Sequence, residues 1–183
     1  MITVISATNR KDSNTIRVAK IAQSRLEASG VKTQFLDLAT LPRELFVPEH
    51  YWNTPPSFEP FQKMVLDTDG ILVVVPEYNG SFPGVFKYFI DLLKFPESLQ
   101  NMPVAFVGVA AGVFGALRSI EQLEHIFHYR GAHLFNRFVL LPKVEEKLNK
   151  EKTEIVDEFT KKLFNIVIAD FPKFAAAIKQ TRT

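Results

Sequence analysis

The polar side chains most able to bind a ligand follow the first apolar run of the chain, residues 2–6. They carry hydroxyl, amide and guanidinium groups: Ser6, Thr8, Asn9, Arg10, Ser13, Asn14 and Thr15. A helical pattern of apolar residues begins directly after them. They therefore lie at the amino end of a predicted helix, where unpaired N–H groups and the helix dipole favour an anion. Capping by Ser13 or Asn14 is the simpler interpretation of either residue alone, but six hydroxyl or amide groups around one arginine favour a phosphate-binding loop.

A second polar set follows the short apolar run at residues 71–75, which is bounded by Gly70 and Pro76. A short β-branched run with such boundaries is typical of a buried parallel strand. The loop after it contains Pro76, Glu77, Tyr78, Asn79, Gly80 and Ser81, and a helical pattern begins after Pro83 and Gly84. Because ligands of open α/β sheets bind at the carboxyl ends of the strands, this loop is predicted to be functional.

A third loop, after the apolar run at residues 104–109, has glycines at positions 112 and 115. With Gly108 they do not form the G-x-G-x-x-G spacing of a Rossmann dinucleotide clamp. The chain also lacks the G-x-x-x-x-G-K-[ST] pattern of a Walker loop, which argues against a nucleotide held through Mg²⁺.

Alternating strands and helices must position these loops. Strands are predicted at residues 2–6, 31–38, 71–75, 104–109 and 134–141. Helices are predicted at residues 16–30, 61–66, 85–93, 117–127 and 146–179, the last with a break or kink at Pro172. This alternation indicates an α/β fold: a flavodoxin-like three-layer sandwich whose five-stranded parallel sheet has the order 2-1-3-4-5, with helices on both faces. In that order the loops after strands one, three and four are neighbours.

Composition narrows the possible functions. The 183 residues, 46% of them hydrophobic, suit a single domain spanning 1–183. The net charge is +2 with mostly alternating signs, so we expect neither a nucleic-acid partner nor a membrane surface. There is no cysteine, which excludes disulfides and thiolate chemistry. The start of the chain does not look like a signal peptide, and we expect a cytoplasmic protein.

Two motifs carry a resemblance to a known family. ISATNRKDSNT at residues 5–15 and PEYNGSFPGVFK at residues 76–87, with Asp91, resemble the NADPH-dependent FMN reductase family of flavodoxin-like flavoproteins, which includes azo-dye, quinone and chromate reductases. The resemblance implies an FMN whose phosphate lies in the first loop and whose ring rests on residues 76–81. It also implies that Gly112, Phe114 and Gly115 line the other side. The chain departs from the family pattern at Ala7, where the family usually has Gly, and at Tyr88, where it usually has Asn. Ala7 weakens the phosphate loop if the backbone there needs a positive φ, whereas Tyr88 is expected to alter packing or a subunit contact.

The loop at residues 76–81 suits a flavin on physical grounds as well. Gly80 permits close approach of the main chain, and Tyr78 or Phe82 can supply a flat apolar wall. Hydride transfer from NAD(P)H through a flavin needs no protein acid or base, so no catalytic side chain is predicted. Glu77 and Asp91 are interpreted as solvated or capping groups, with an acid or base role as the alternative.

The predicted function is an FMN-dependent NAD(P)H oxidoreductase acting on a small acceptor such as a flavin, quinone, azo dye or metal oxyanion. Two alternatives stay open: an FMN electron carrier without nicotinamide activity, which the basic charge balance disfavours, and a flavin-free binding module. A phospho-receiver domain is disfavoured because the first loop has one acidic residue, Asp12.

Other candidate groups have weaker signals. Glu121, His125 and His128 share a helix face with the spacing of a zinc site, but a solvated face or subunit contact is the preferred interpretation, and no metal is predicted. His50, Tyr51 and Trp52 lie in the long irregular segment 39–60 and are candidates for a lid or for a wall of a neighbouring subunit's site. Arg10 and Arg118 could meet the 2′-phosphate of NADPH. We expect a homodimer or homotetramer.

Overall fold

Six strands form one parallel sheet in the computed structural model, which describes residues 1–181. The last two residues of the predicted domain lie outside the described part. The strands are β1 (Ile2–Ser6), β2 (Thr33–Asp37), β3 (Gly70–Pro76), β4 (Pro103–Val109), β5 (His133–Leu134) and β6 (Val139–Leu141). The helices are α1 (Asn14–Ala28), α2 (Glu59–Leu66), α3 (Gly84–Leu92), α4 (Leu117–Tyr129), α5 (Val144–Lys147) and α6 (Glu158–Thr181). The sheet order is β2-β1-β3-β4-β5, with β6 also paired to β4, and this confirms the predicted flavodoxin-like topology.

The central strand β3 shows why the sheet has helices on both faces. All seven of its residues are buried, and the side chains of residues 71–75 alternate between two apolar clusters. Ile71, Val73 and Val75 pack in the cluster that contains α3 and α4 residues. Leu72 and Val74 pack in the cluster that contains α1 and α6 residues. A strand with two apolar faces needs a helical layer on each, as the continuous apolar run predicted.

The fifth predicted strand, residues 134–141, is interrupted. β5 pairs with β4 only as far as Leu134, and the pairing with β4 begins again in β6 at Val139. Between them Phe135 packs edge-on against Phe171 of α6, with 5.9 Å between ring centroids, while Asn136 and Arg137 are exposed. At a sheet edge one apolar contact and two solvated side chains are enough to break a short ladder.

The predicted helix at residues 146–179 is wrong in its first third. α5 ends at Lys147, Leu148 and Ile155 form an antiparallel bridge, and α6 begins only at Glu158. Asn149 causes the change, since its side-chain oxygen accepts hydrogen bonds from the amides of Thr153 (2.7 Å) and Glu154 (3.0 Å) in place of a helical pattern. Of the break or kink predicted at Pro172, the break is wrong, because α6 continues through it, with the neighbouring Phe171 fully buried; the kink stays a prediction.

The long segment 39–60 contains short 3₁₀ turns, among them Arg43–Phe46 and Pro48–His50. Leu45 and Phe58 are buried and anchor it to the α3 and α4 side of the core. Among residues 1–181, no helix combines the length and the apolar character needed to cross a membrane.

Candidate functional site

The loops after β1, β3 and β4 meet around one hollow of about 480 Å³ at the carboxyl edge of the sheet. Its lining residues come from these loops and from the segment after β6: Arg10, Lys11, Asp12, Ser13, Asn14, Thr15, Pro76, Glu77, Tyr78, Val109, Ala110, Ala111, Val144, Glu145 and Lys152. A hydrogen bond of 2.8 Å between the Thr8 hydroxyl and the Tyr78 hydroxyl joins the first two loops directly. The sheet order therefore brings together two of the predicted sets of residues, which lie about seventy positions apart in sequence.

The first loop places donors at the amino end of α1. Ser13 is the N-cap, and its hydroxyl accepts a hydrogen bond from the Ile16 amide at 3.3 Å. The amides of Asn14 and Thr15 are in the first helical turn, where backbone donors have no partner within the helix. Ser13 thus has the capping role considered above. Within the described part of the chain, the backbone amides of Asn14 and Thr15 are still free to donate to a ligand in the hollow.

The other residues predicted in this loop lie beside the hollow. Thr8 and Ser6 are buried below its lining, whereas Asn9 is exposed outside it. Ala7 is buried in extended pairing with β3, donating its amide to the Val74 carbonyl oxygen at 2.9 Å. Its φ is not positive. The condition under which Ala7 was expected to weaken the phosphate loop, a positive φ, is therefore not met.

The loop after β3 folds as a tight turn. Tyr78 and Ser81 exchange backbone hydrogen bonds of 2.7 and 3.1 Å, and the two residues between them, Asn79 and Gly80, have φ of 52° and 78°. Two consecutive positive φ angles explain the Asn-Gly pair. A Cβ on Gly80 would meet only the Arg118 side chain, at 3.9 Å, so the glycine is required by its backbone angle and not by crowding.

Helix α4 holds this turn with side chains that the sequence did not reveal. Gln122 donates to the Gly80 carbonyl oxygen (3.1 Å) and accepts from the Ser81 hydroxyl (2.6 Å). The Ser119 hydroxyl donates to the Pro76 carbonyl oxygen at 3.0 Å. Ser and Gln are ordinary residues of a helix surface, and nothing in their spacing sets these two apart.

Glu77 and Arg118 form an ion pair of 3.1 Å beside the hollow, and the Arg118 guanidinium lies over the Phe114 ring at 4.2 Å from its centroid. Within residues 1–181, the second carboxylate oxygen of Glu77 is buried without a hydrogen-bond partner, as is the Ser6 hydroxyl. Buried polar groups normally have partners. Glu77 lines the hollow, so its unpaired oxygen fits a site built to receive a polar ligand such as FMN, whereas Ser6 lies outside the lining.

The loop after β4 lines the hollow with other residues than those predicted. Val109, Ala110 and Ala111 form that wall, and Gly112, Phe114 and Gly115 lie outside the lining. Gly115 packs against Gly108 and Leu140, and Phe114 is half-exposed under Arg118. The contact of these three residues with a flavin stays a prediction.

The lining residues from the segment after β6, Val144, Glu145 and Lys152, were not predicted at all. Glu145 and Lys152 reach the amino end of α1 from the segment after β6. The Asn14 amide nitrogen donates to Glu145 at 2.8 Å, and the Lys152 ammonium lies 2.6 Å from the same carboxylate. The hydrogen bonds from Lys152 and then Asn14 lower the pKa of Glu145. Surface Glu and Lys residues are so common that no sequence signal could have singled out these two.

The remaining candidates lie away from the hollow. Asp91 pairs with Lys87 one helical turn earlier, at 2.6 Å. Tyr88 donates to the Leu45 carbonyl oxygen and stacks on Phe46 at 5.2 Å, which is the packing role expected of it. Among residues 1–181, no group of three or more His, Asp or Glu side chains is placed to hold a metal ion.

Comparisons with known proteins agree with this geometry. The model of the family described as NADPH-dependent FMN reductase matches residues 1–146. A 2-hydroxy-1,4-benzoquinone reductase from Burkholderia sp. is 28% identical over 184 residues, covering 99% of this chain and 97% of the relative. An NADPH:quinone oxidoreductase from Arabidopsis thaliana is 26% identical over 164 residues, covering 88% and 83%.

Solved structures share the fold. The flavoenzyme NAD(P)H:(acceptor) oxidoreductase FerB from Paracoccus denitrificans has a TM-score of 0.80 at 22% identity, covering 96% of this chain and 97% of FerB. A variant flavodoxin from Pseudomonas aeruginosa has a TM-score of 0.57 at 18% identity, covering 97% and 98%. The chain belongs to the NADPH-dependent FMN reductase family, and it is an NAD(P)H-dependent oxidoreductase with FMN as its cofactor.

Proposed function

We propose that the hollow between the three loops holds the FMN, with the phosphate at the amino end of α1 and the ring on residues 76–81. The observation that carries this proposal is the meeting of the two loops, joined by Thr8 and Tyr78, around one hollow. When bound, FMN supplies hydride transfer from the nicotinamide to the acceptor. The residues of the chain bind and orient it.

Each loop has its own task in this arrangement. Arg10, Asn14 and Thr15 offer a positive charge and hydrogen-bond donors to the phosphate. Gln122 and Ser119 fix the turn at residues 76–81, so that its main chain is already in place when the ring arrives. Val109 and Ala110 give the opposite side an apolar surface. A preformed site of this kind loses little conformational entropy on binding.

We further propose that the acceptor is a small quinone. The support is chemical and comparative. A flavin needs only an acceptor that fits over its ring, and two of the most similar relatives are a 2-hydroxy-1,4-benzoquinone reductase and an NADPH:quinone oxidoreductase. Because NAD(P)H is the co-substrate, we place the enzyme in the cytoplasm.

An absorption spectrum of the purified protein before and after NADPH tests the enzyme proposal. We expect a flavin spectrum that NADPH bleaches and that benzoquinone restores, with steady NADPH oxidation when both are supplied. A bound flavin that NADPH cannot bleach indicates an electron carrier. A protein that stays colourless with added FMN indicates a binding module.

A matched pair of glycine variants tests where the ring lies. Gly80 and Gly30 have φ of 78° and 83°, and an added Cβ is not crowded at either position, so Gly80→Ala and Gly30→Ala carry the same backbone cost of about 1 kcal/mol. Gly30 lies after α1, away from the hollow. We expect only Gly80→Ala to weaken FMN binding beyond that shared loss of stability. Equal FMN affinity in the two variants contradicts the proposed position of the ring.

We also propose a homo-oligomer. Trp52 is 91% exposed beside Tyr51, and a groove of about 470 Å³ between α3 and α4 is bordered by Phe95 and Tyr129, which are 65% and 82% exposed. Large exposed aromatic side chains are typical of interfaces. Light scattering should give a dimer or tetramer mass that Trp52→Ser or Tyr129→Ser reduces. A monomer mass for the unaltered chain at all concentrations contradicts the proposal.

A further inference from the structure

The amino end of α1 already carries an anion that belongs to the chain itself. The Glu145 carboxylate accepts hydrogen bonds from the Asn14 side-chain amide at 2.8 Å and from the Lys152 ammonium at 2.7 Å. Lys152 also donates to the Asn14 side-chain oxygen at 3.2 Å, which closes a triangle of three side chains. All three residues line the hollow. A carboxylate so placed has the charge and the donors that a phosphate would use there.

The turn at residues 148–155 places Lys152 at this position. Leu148 and Ile155 are buried and form an antiparallel bridge at its base. At its tip, the Lys152 amide donates to the Asn149 carbonyl oxygen at 2.9 Å. The ion pair between Lys147 and Asp157, at 3.0 Å, closes the turn from outside. The ammonium therefore reaches the α1 terminus from a fixed base.

Several cationic side chains lie near the Glu145 carboxylate at this end of the hollow. Arg10 and Lys11 line the same hollow, and Arg17, one turn along α1, adds an electrostatic contribution to the lowered pKa of Glu145. The Arg17 Nε is buried without a hydrogen-bond partner in the described part of the chain. Glu145 is the only carboxylate that Lys152 contacts among the described residues, and its side chain is 60% exposed. An exposed pair of this kind is held weakly, so the carboxylate can turn into solvent.

We propose that Lys152 binds the FMN phosphate and that Glu145 forms an ion pair with Lys152 in the flavin-free enzyme. To bind, the phosphate must then displace the Glu145 carboxylate from Lys152. The inference rests on the proposed position of FMN in the hollow and adds a residue from outside the region matched by the family model, which ends at residue 146. Lys152 then gains a dianion in place of a single carboxylate. Glu145 opposes binding, and the two residues act on FMN affinity with opposite signs.

The contrasting explanation is structural: the pair of Glu145 and Lys152 could serve only to attach the turn at residues 148–155 to α1. The two explanations differ in a measurable way. A phosphate ligand distinguishes FMN from riboflavin, which has the same ring and ribityl chain without the phosphate. A structural attachment affects both flavins alike.

Binding of FMN and of riboflavin to the flavin-free, full-length protein tests the proposal, with flavin fluorescence quenching as the readout. We expect Lys152→Gln to raise the Kd for FMN about tenfold and to leave the Kd for riboflavin unchanged.

Lys152→Arg should retain most of the FMN affinity, and Glu145→Gln should tighten FMN binding about threefold. Lys150→Gln, an exposed lysine of the same turn, is the matched control and should change neither Kd. Added salt should weaken FMN binding less in Lys152→Gln than in the unaltered protein.

The outcomes separate the two levels of the proposal. A protein that binds neither flavin contradicts the proposed FMN position itself. A protein that binds FMN, but whose preference for FMN over riboflavin survives Lys152→Gln unchanged, overturns the role of Lys152. If Lys152→Gln fails to fold, Glu145→Gln decides, because it keeps Lys152: a higher preference for FMN supports the displacement, and an unchanged or lower preference overturns it.

Discussion

Single side chains connect loops that the chain keeps far apart. The hydroxyls of Thr8 and Tyr78 meet at 2.8 Å, and Arg118 of α4 reaches Glu77 at 3.1 Å. Thr8, Glu77 and Tyr78 are polar residues near strand ends, which a sequence can mark, whereas Arg118 lies in α4. Neither partner could be named in advance, because a hydrogen bond needs atoms within about 3 Å and the periodicity of a sequence places elements only to within several ångströms.

The bond between Thr8 and Tyr78 should contribute to stability and to FMN binding. Tyr78→Phe removes one part-buried hydrogen bond and leaves the ring, so we expect a loss of about 1 kcal/mol in the free energy of unfolding. FMN affinity should fall as well, because the two loops around the hollow are no longer joined. The unaltered chain is the reference. A denaturant midpoint for Tyr78→Phe equal to that of the unaltered chain argues against the contribution.

The start of α6 makes stability depend on acid pH. Hydrogen bonds from the Thr160 hydroxyl and amide, and then from Lys147, lower the pKa of Asp157 to about 2. Because the folded-state pKa lies below the unfolded value of about 3.9, the stabilisation is present above about pH 4 and is lost as the pH falls toward 2. Asp157→Asn lacks this charge. Its loss of stability should be clear near neutral pH and vanish near the folded-state pKa, as measured by denaturant titration at both conditions. A loss that is the same at both contradicts the assignment.

At the scale of elements, two glycines allow β4 and the loop after it to pack closely against each other. The glycines at 108 and 115 do not form a dinucleotide motif, and their role is close contact between backbone segments. A Cβ on Gly108 would clash with the Gly115 carbonyl oxygen and lie 3.0 Å from Leu140. Gly115 itself has φ of 60°. These glycines let the loop turn back over the strand, so that residues 109–111 form the hollow's wall.

Gly108→Ala should therefore destabilise the fold. The clash is with backbone, which cannot rotate away, and overpacking of this kind costs about 1–3 kcal/mol in the free energy of unfolding. Gly112→Ala is the matched control for stability, because an added Cβ there meets nothing within 4 Å. Chemical denaturation of the two variants measures the difference. Similar midpoints would falsify the close-packing explanation.

At the scale of the whole molecule, the sheet order decides where chemistry can occur. β1, β3 and β4 are adjacent and parallel, so their carboxyl ends open on the same edge. The family match supports the predicted enzyme over the electron carrier. The site is formed by loops that follow adjacent strands of one sheet and exists only in the folded chain, so ligand binding should be linked to global stability.

FMN should raise the melting temperature in a concentration-dependent way. At a hundredfold excess over Kd, binding to the folded state alone adds about 2.7 kcal/mol, which for a chain of this size corresponds to about 5–10 °C. Riboflavin at the same concentration should give a smaller shift if the α1 terminus receives the phosphate. Differential scanning fluorimetry of the flavin-free protein measures both. A melting temperature that does not respond to FMN contradicts binding to the folded chain.

The sequence alone determined the strands β1 to β4, the helices between them and the loops that carry polar residues at strand ends, since hydrophobic periodicity and turn chemistry act over a few neighbouring residues. It failed where a local polar contact competed with a helical pattern, as at Asn149, and where an edge strand could break, as at Phe135. Only the tertiary structure decided that Glu145 and Lys152 join Asn14, from 131 and 138 positions away. The physical reason is that contacts across such separations depend on how whole elements pack on the sheet, and no short stretch of residues records that packing.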